Sequence, residues 1–462
     1  MSNTTTILAE MTKYMNENSL NITELARVSK MNPGTISGLV NGNRKFSVYQ
    51  LDQITEAMGH PIGYYYERYT SEYLADSTPN WRRMSPFLEN CAKLNKLDCI
   101  QKVVDLLLDK LGYATPLFEL AEQFFEGGLY EAAAILYENV ALTENKQHSE
   151  RLAICQYRLF QSRQGDDQVK SYEAAVQFET YVYRLEESYQ LEALKDLVNT
   201  YRTLRKWEKV HRFAKTLGNL AEAQMNPERK HQNVEEDTLK NQSSPPTFAY
   251  WAYSHLLQAE VCYVKKDYEQ ALKHNYAYSD LNWVKETDES SLKWKHNYET
   301  WAKANIYVNK LMSGQASVLP DYVAYFSSRK DEILTALDNI IDAANQYNIN
   351  VDDILMQFEP EILSLLEEQK GGGVYNQQFI TERFTHFTKQ LAIYFLRKEM
   401  YSKGFTFLLK CLEKSTEINN KSYILENMRL FESFRENTSF ETKAARWTDM
   451  KNNLALTLLM YY

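Results

Sequence analysis

The chain has 462 residues, enough for two or three domains or for one small domain followed by a repeat array. With 44% hydrophobic and 24% charged residues it reads as a folding sequence, and 15 Gly with 10 Pro supply too few turn residues for an all-β protein, which leaves an all-α class. The five cysteines are scattered, odd in number and without a Cys-x-x-Cys pair, so a disulfide framework and a zinc site are both disfavoured. The opening MSNTTTILAEMTKYM has no basic, apolar leader, and no run of eighteen apolar residues follows; the expected location is cytoplasmic, away from membranes.

In chain order, the first clear element is ITELARVS, Ile22 to Ser29, with Leu25, Ala26 and Val28 apolar over one and a half turns. A short turn leads to NPGTISGLVNGNR, Asn32 to Arg44. There Asn32 is an N-cap, Pro33 suits the first helical position, and Ile36, Leu39 and Val40 repeat at helical spacing. Asn41-Gly42 supplies a positive-φ stop. What stays outward is small and polar: Thr35, Ser37 and Gly38. Such a face admits close approach to a major groove, where short hydroxyl and amide side chains meet phosphates or base edges. A third helix runs from Val48 to Met58, capped by Ser47, with Val48, Leu51, Ile54, Thr55 and Met58 on one face and Gly59 and Pro61 beyond it.

The net charge of -9 looks wrong for a DNA-binding chain until it is divided. Residues 1–70 hold six basic groups (Lys13, Arg27, Lys30, Arg44, Lys45, Arg68) and six acidic ones, so all the excess acid lies further on. Between Arg27 and Lys45 there is no Asp or Glu. Local cations of this kind neutralise phosphates, while an acidic remainder discourages indiscriminate binding.

Glu24-Leu25-Ala26, Thr35-Ile36-Ser37, Asn41 to Lys45, and Leu51 followed by Ile54 and Glu56 to Gly59 together resemble the phage-repressor/Cro (XRE) type of helix-turn-helix over about the first seventy residues. The resemblance implies that Thr35, Ser37 and Gly38 face the groove and that Asn43, Arg44 and Lys45 approach the backbone; Arg27 and Lys30 from the cationic window, with Asn32, complete the candidate DNA contacts. Two positions depart from the pattern: Ile22 replaces the usual Gln, and Lys30 replaces the usual Gly, which asks a lysine to take an unusual backbone conformation.

After Tyr69, the stretch Ala75 to Pro86 reads as a connector, giving a 71–86 linker in which Trp81 docks and Arg82 and Arg83 are available for docking or phosphate contact. From Phe87 helical periodicity is nearly continuous to residue 462. An Ala-x8-Tyr-x2-small pattern recurs at Ala121, Tyr130, Ala133, at Ala259, Tyr268, Ala271, and at Ala392, Tyr401, Gly404. Small residues let antiparallel helices approach and the aromatic fills the wedge at the turn. The anchors Tyr130, Tyr172, Trp207 and Tyr268 are 42, 35 and 61 residues apart; removing the polar 22-residue insertion Met225 to Pro246 brings the last to 39, near one repeat unit. These runs resemble tetratricopeptide (TPR) repeats, implying a right-handed α-solenoid over 87–462. The closing Asn452 to Tyr462 is apolar, suited to packing on the last repeat or a second subunit.

Chemistry-bearing patterns are sparse. The eight histidines stand isolated without metal-site spacings, and Gly371-Gly372-Gly373 lacks the strand and the Lys-Ser/Thr of a phosphate loop. Acidic pairs such as Glu235-Glu236 and Asp352-Asp353 suit solvated helix faces. No enzyme, metal or cofactor is expected.

The combination resembles the peptide-pheromone regulators of Gram-positive bacteria, the Rap/NprR/PlcR/PrgX group with the arbitrium receptors. It implies a cytoplasmic homodimer that binds a double-stranded operator through its N-terminal domain and a short signalling peptide through its repeats. In that family side-chain amides hold the peptide main chain, so Asn199, Asn297, Asn305 and Asn309 are candidates, with Arg202 as partner for a carboxylate. The alternatives are a TPR interaction scaffold and a phage or plasmid repressor without a peptide ligand.

Overall fold

The computed structural model describes residues 6–75, 79–107, 111–144, 150–165, 167–226, 245–367, 377–417 and 421–434. Most of the Met225 to Pro246 insertion, with His231 and Glu235-Glu236, lies outside the described residues, as do His148, the Gly371–Gly373 run and Asn452 to Tyr462. The described residues form helices and no strand, in two units, Met1–Phe213 and Ala214–Tyr462.

The first unit opens with α1 (Ile7–Glu17), capped by Thr6 and buried through Ile7, Met11 and Met15. It is followed by α2 (Ile22–Val28), α3 (Pro33–Val40) and α4 (Val48–Ala57). The capping pattern Ser47 to Gln50 closes reciprocally, each side chain accepting from the other's backbone N–H at 3.3 and 3.1 Å.

Next come α5 (Tyr66–Tyr69) and a π-helical turn (Thr70–Leu74). Tyr65, Tyr66 and Tyr69 are fully buried, and each hydroxyl finds an acceptor: Glu10 on α1, Asp52 on α4 and the Phe46 carbonyl, at 2.9, 3.0 and 2.8 Å. Burial pushes the Tyr69 hydroxyl up to about 12, so it stays a donor.

The stretch expected to be a linker contributes six residues to α6 (Trp81–Lys93), which contains Pro86. The proline costs one backbone bond, but Met84, Phe87, Leu88, Cys91 and Ala92 on one face outweigh it by burial. Phe87 meets Tyr66 and Tyr69 at 5.0 and 5.2 Å, and Asn90 donates to Asp52 at 3.2 Å. The first four helices and those after residue 80 therefore share one core, which runs from Ile7 to Leu159. After α6 come α7 (Leu97–Asp105), α8 (Ala114–Glu126), α9 (Tyr130–Glu144) and α10 (Glu150–Ser162), which contribute to that core, then α11 (Gln168–Phe178), α12 (Glu187–Thr203) and α13 (Trp207–Met225), the last extending past Phe213.

Buried tyrosines also tie this series together: Tyr137 bonds Glu122, Tyr157 bonds Asp196 and Tyr201 bonds Glu179. Glu122 is also held by Arg158, and Glu179 by Lys209 and Arg212. Buried phenols thus have charged acceptors, and the carboxylates have cations.

The second unit contains α14 (Thr247–Val264), α15 (Tyr268–Ala277), α16 (Glu289–Met312), α17 (Leu319–Phe326), α18 (Ile333–Tyr347), α19 (Asp352–Gln357), α20 (Glu359–Glu367), α21 (Gln377–Arg397), α22 (Tyr401–Glu417) and α23 (Lys421–Ser433). The three expected helical pairs fall at α8–α9, α14–α15 and α21–α22. Ala121, Ala133, Ala259, Ala271 and Ala392 are buried at their crossings. Gly404 is required by close approach, since a Cβ there would lie 2.6 Å from Leu396 Cγ. No described helix is long and apolar enough to cross a membrane.

Candidate nucleic-acid and ligand-binding surfaces

Helix α2 starts on a reciprocal cap: Asn21 accepts from the Glu24 N–H at 2.9 Å, and the Glu24 carboxylate accepts from the Asn21 N–H at 2.8 Å. It buries Leu25 and Ala26, while Val28 in its last turn is exposed. The turn that follows closes with the Met31 N–H donating to the Ala26 carbonyl at 2.8 Å and the Lys30 N–H donating to the Arg27 carbonyl at 3.3 Å. That closure requires the intervening residue to be left-handed, and Lys30 has φ 57°. The lysine takes the strained conformation, and its exposed side chain stands at the start of α3.

Helix α3 begins as its sequence dictates. The Asn32 side chain accepts from the Gly34 N–H at 2.8 Å, Pro33 is first in the helix, and Ile36 and Leu39 are buried. Gly42 (φ 70°), rather than Asn41, takes the left-handed stop. Asn41 instead donates from its amide to the Ser37 hydroxyl at 3.3 Å. Thr35 and Ser37 are partly exposed, and Asn32 and Asn43 exposed.

Gly38 does something the sequence pattern did not show. The Arg44 N–H donates to its carbonyl at 2.9 Å, and a Cβ on Gly38 would lie 3.1 Å from Arg44 Cδ. The missing side chain makes room for the arginine stem, which lies along α3. The loop is also pinned from behind by buried Phe46, whose ring meets Tyr73 at 5.4 Å and whose carbonyl takes the Tyr69 bond. Arg27, Lys30, Arg44 and Lys45 are all exposed, and none is ion-paired with a described residue.

The amide candidates divide between the units. Asn199 and Arg202 lie on α12, the first partly exposed and the second exposed. Asn297, Asn305 and Asn309 share α16. Asn305 donates to the Tyr278 hydroxyl at 2.9 Å, and Tyr278 in turn donates to Asn275 Oδ1 at 3.2 Å. Asn309 is buried at 4% exposure, its amide donating to the Asn305 carbonyl at 2.9 Å, with Oδ1 unmatched. Asn309 is thus an interior member of an amide–phenol chain, while Asn297 and Asn305 remain partly accessible.

No family model matches this chain, and no curated protein is significantly similar to it.

Two histidine sites escaped the sequence pattern because their partners are distant along the chain. His255 and His274, on α14 and α15, meet Nδ1 to Nδ1 at 3.0 Å, so one ring must donate and the other accept. Burial and the neighbouring His274 hold His255 down to about 4. On α21, burial opposes a charge on His386, but its 2.6 Å bond to buried Asp338 on α18 and the Asp342 charge outweigh this and raise it. Arg383 also binds Asp338, at 2.9 Å. Asp352 is no mere solvated face either, since Tyr394 and Lys398 both bind it and hold its carboxyl below the usual range.

Proposed function

We propose that the protein is a DNA-binding transcriptional regulator whose first seventy residues act as an XRE-type helix-turn-helix and whose later helical pairs form a TPR-like solenoid that senses a short signalling peptide. The observation that carries the first part is the α2–turn–α3 geometry: a helix with a small polar outer side, bordered by four exposed cations that have no competing carboxylate. Held in this way, Thr35 and Ser37 are available to base edges or phosphates, and Arg27, Lys30, Asn43, Arg44 and Lys45 to the backbone on either side. The seating of Arg44 on Gly38 supports it further, because a pre-placed cation loses less freedom on binding.

The sensing part rests on the three helical pairs at the Ala-x8-Tyr-x2-small positions and on partly accessible amides. Asn199 with Arg202, and Asn297 with Asn305, are the proposed peptide contacts, with Asn309 bracing Asn305 from inside. A homodimer in the cytoplasm completes the proposal, its paired recognition helices spaced by the peptide's differential affinity for two states.

The test is operator binding by the full chain to DNA from its own upstream region, with and without synthetic peptides from the C-terminus of any adjacent small secreted precursor. Specific binding is expected to be altered by one peptide, and Arg44→Glu is expected to abolish it in protein whose helical content, checked by circular dichroism, is unchanged. Specific binding indifferent to every peptide would leave a plain repressor; absence of specific binding would favour an interaction scaffold.

A further inference from the structure

The second unit holds an open cavity of about 390 Å³ that the proposed peptide contacts do not use. It is lined by Glu222 and Met225 from the last turns of α13, by Asn226, by Trp251 from α14 and by Trp283 from the segment after α15. The two indoles stand edge to face, with centroids 5.2 Å apart and planes at 83°. That arrangement presents two π-faces at right angles in one corner. Trp283 is 48% exposed, so the described residues leave the corner open.

The one charged side chain that lines this corner is acidic, while the Lys295 ammonium beside it is held on the Val284 and Glu286 carbonyls at 2.7 and 2.8 Å. Glu222 is exposed and has no ion-pair partner among the described residues. The His255 ring lies against Trp251 at 4.5 Å. It is neutral at neutral pH, since burial and His274 both oppose its protonation, so no resident imidazolium occupies the Trp251 ring. Each indole face is the negative end of a quadrupole, and a carboxylate adds a full negative charge. Two such faces and one acid attract a cation with a greasy stem far more than an anion or a neutral amide. Met225 supplies a soft apolar wall for that stem. The volume is at the small end for a ligand pocket, enough for one side chain or a small organic cation and too little for a folded partner.

We propose that Trp251, Trp283 and Glu222 form a binding site for an alkyl-guanidinium or alkyl-ammonium group, supplied by a basic side chain of a bound chain or by a free organic cation. The site is built from its own residues and does not require the peptide-sensing proposal, which could fail while this one stands.

Calorimetric titration of the full chain with N-acetyl-arginine methylamide and with its neutral citrulline counterpart tests the site directly. Arginine is expected to bind about tenfold tighter than citrulline, the difference one desolvated cation–π contact supplies. Glu222→Gln and Trp283→Ala are each expected to remove that preference in protein whose helical circular dichroism is unchanged. An Ala-Arg-Ala peptide that binds more tightly than the blocked amino acid identifies a chain-borne side chain as the source; equal binding identifies a free cation. Equal affinity for arginine and citrulline, or a preference that survives Glu222→Gln and Trp283→Ala in folded protein, overturns the assignment.

Discussion

His255 and His386 show how one residue type can be set in opposite directions by its neighbours. His255 faces another imidazole in a partly buried site, whereas His386 faces Asp338 and Asp342, with Arg383 beside them. The folded His255 resists protonation that the unfolded chain accepts near 6.5, so the unfolded state binds more protons and stability falls as pH drops from 6.5 towards 4. His386 behaves conversely: its stabilisation is complete below the unfolded value of 6.5 and is lost as pH rises through its raised folded value. Thermal midpoints measured from pH 4 to 9 are expected to flatten on the acid side in His255→Gln and on the alkaline side in His386→Gln. A wild-type acid limb that persists in His255→Gln would locate the titrating group elsewhere. Neither site was legible from the chain, because a histidine's partners here lie 19 and 48 residues away along it.

Helix ends repeat one device across the chain. Ser19, Lys30, Asn95, Arg205, Lys266, Asn348 and Glu399 all have positive φ, between 52° and 62°. After each, the next N–H donates five residues back; Lys96 to Cys91, Lys206 to Tyr201, Asp267 to Cys262 and Met400 to Phe395 are examples. This explains why a helical chain with so many turns contains only 15 glycines. It also explains which stops could be read in the sequence. Gly59 and Gly42 announced themselves, whereas a lysine or glutamate in the same conformation carries no local signal. Only Lys30 was foreseen, because its neighbours resembled a pattern with glycine there. Lys30→Gly is expected to stabilise the fold by about 1 kcal/mol through relief of the left-handed strain. On the proposed DNA-binding reading, the same substitution removes one phosphate contact, so the slope of log affinity against log salt for operator DNA should shrink by about 0.9. A stabilised variant with an unchanged slope would show that Lys30 does not touch the backbone.

At the scale of the molecule, the all-helical class and the helical pairing were legible from composition and spacing. Few turn residues implied helices, and the Ala-x8-Tyr-x2-small pattern fell on three observed pairs. The outer side of α3 was legible too, except for Gly38, whose role depends on an arginine six residues later folding back over it. The extent of the N-terminal part was least legible. Polarity and two prolines marked a break near residues 75–86, but Pro86 is accommodated within α6 because that helix's apolar face is needed by the tyrosines before it.

That seating of Tyr65, Tyr66 and Tyr69 bears on how the protein could be cut and recombined. A DNA-reading module on a free tether can be grafted by cutting at the tether; here the cut would strip Phe87 from two aromatic rings and Asn90 from Asp52. A fragment ending at residue 70 is expected to unfold at markedly lower denaturant than one ending at residue 107, a difference visible by circular dichroism. Equal midpoints would mean the shared core contributes nothing to the first four helices. Chimaeras that exchange the first four helices should accordingly keep α6 and α7 with the helices they support, and place the junction beyond them.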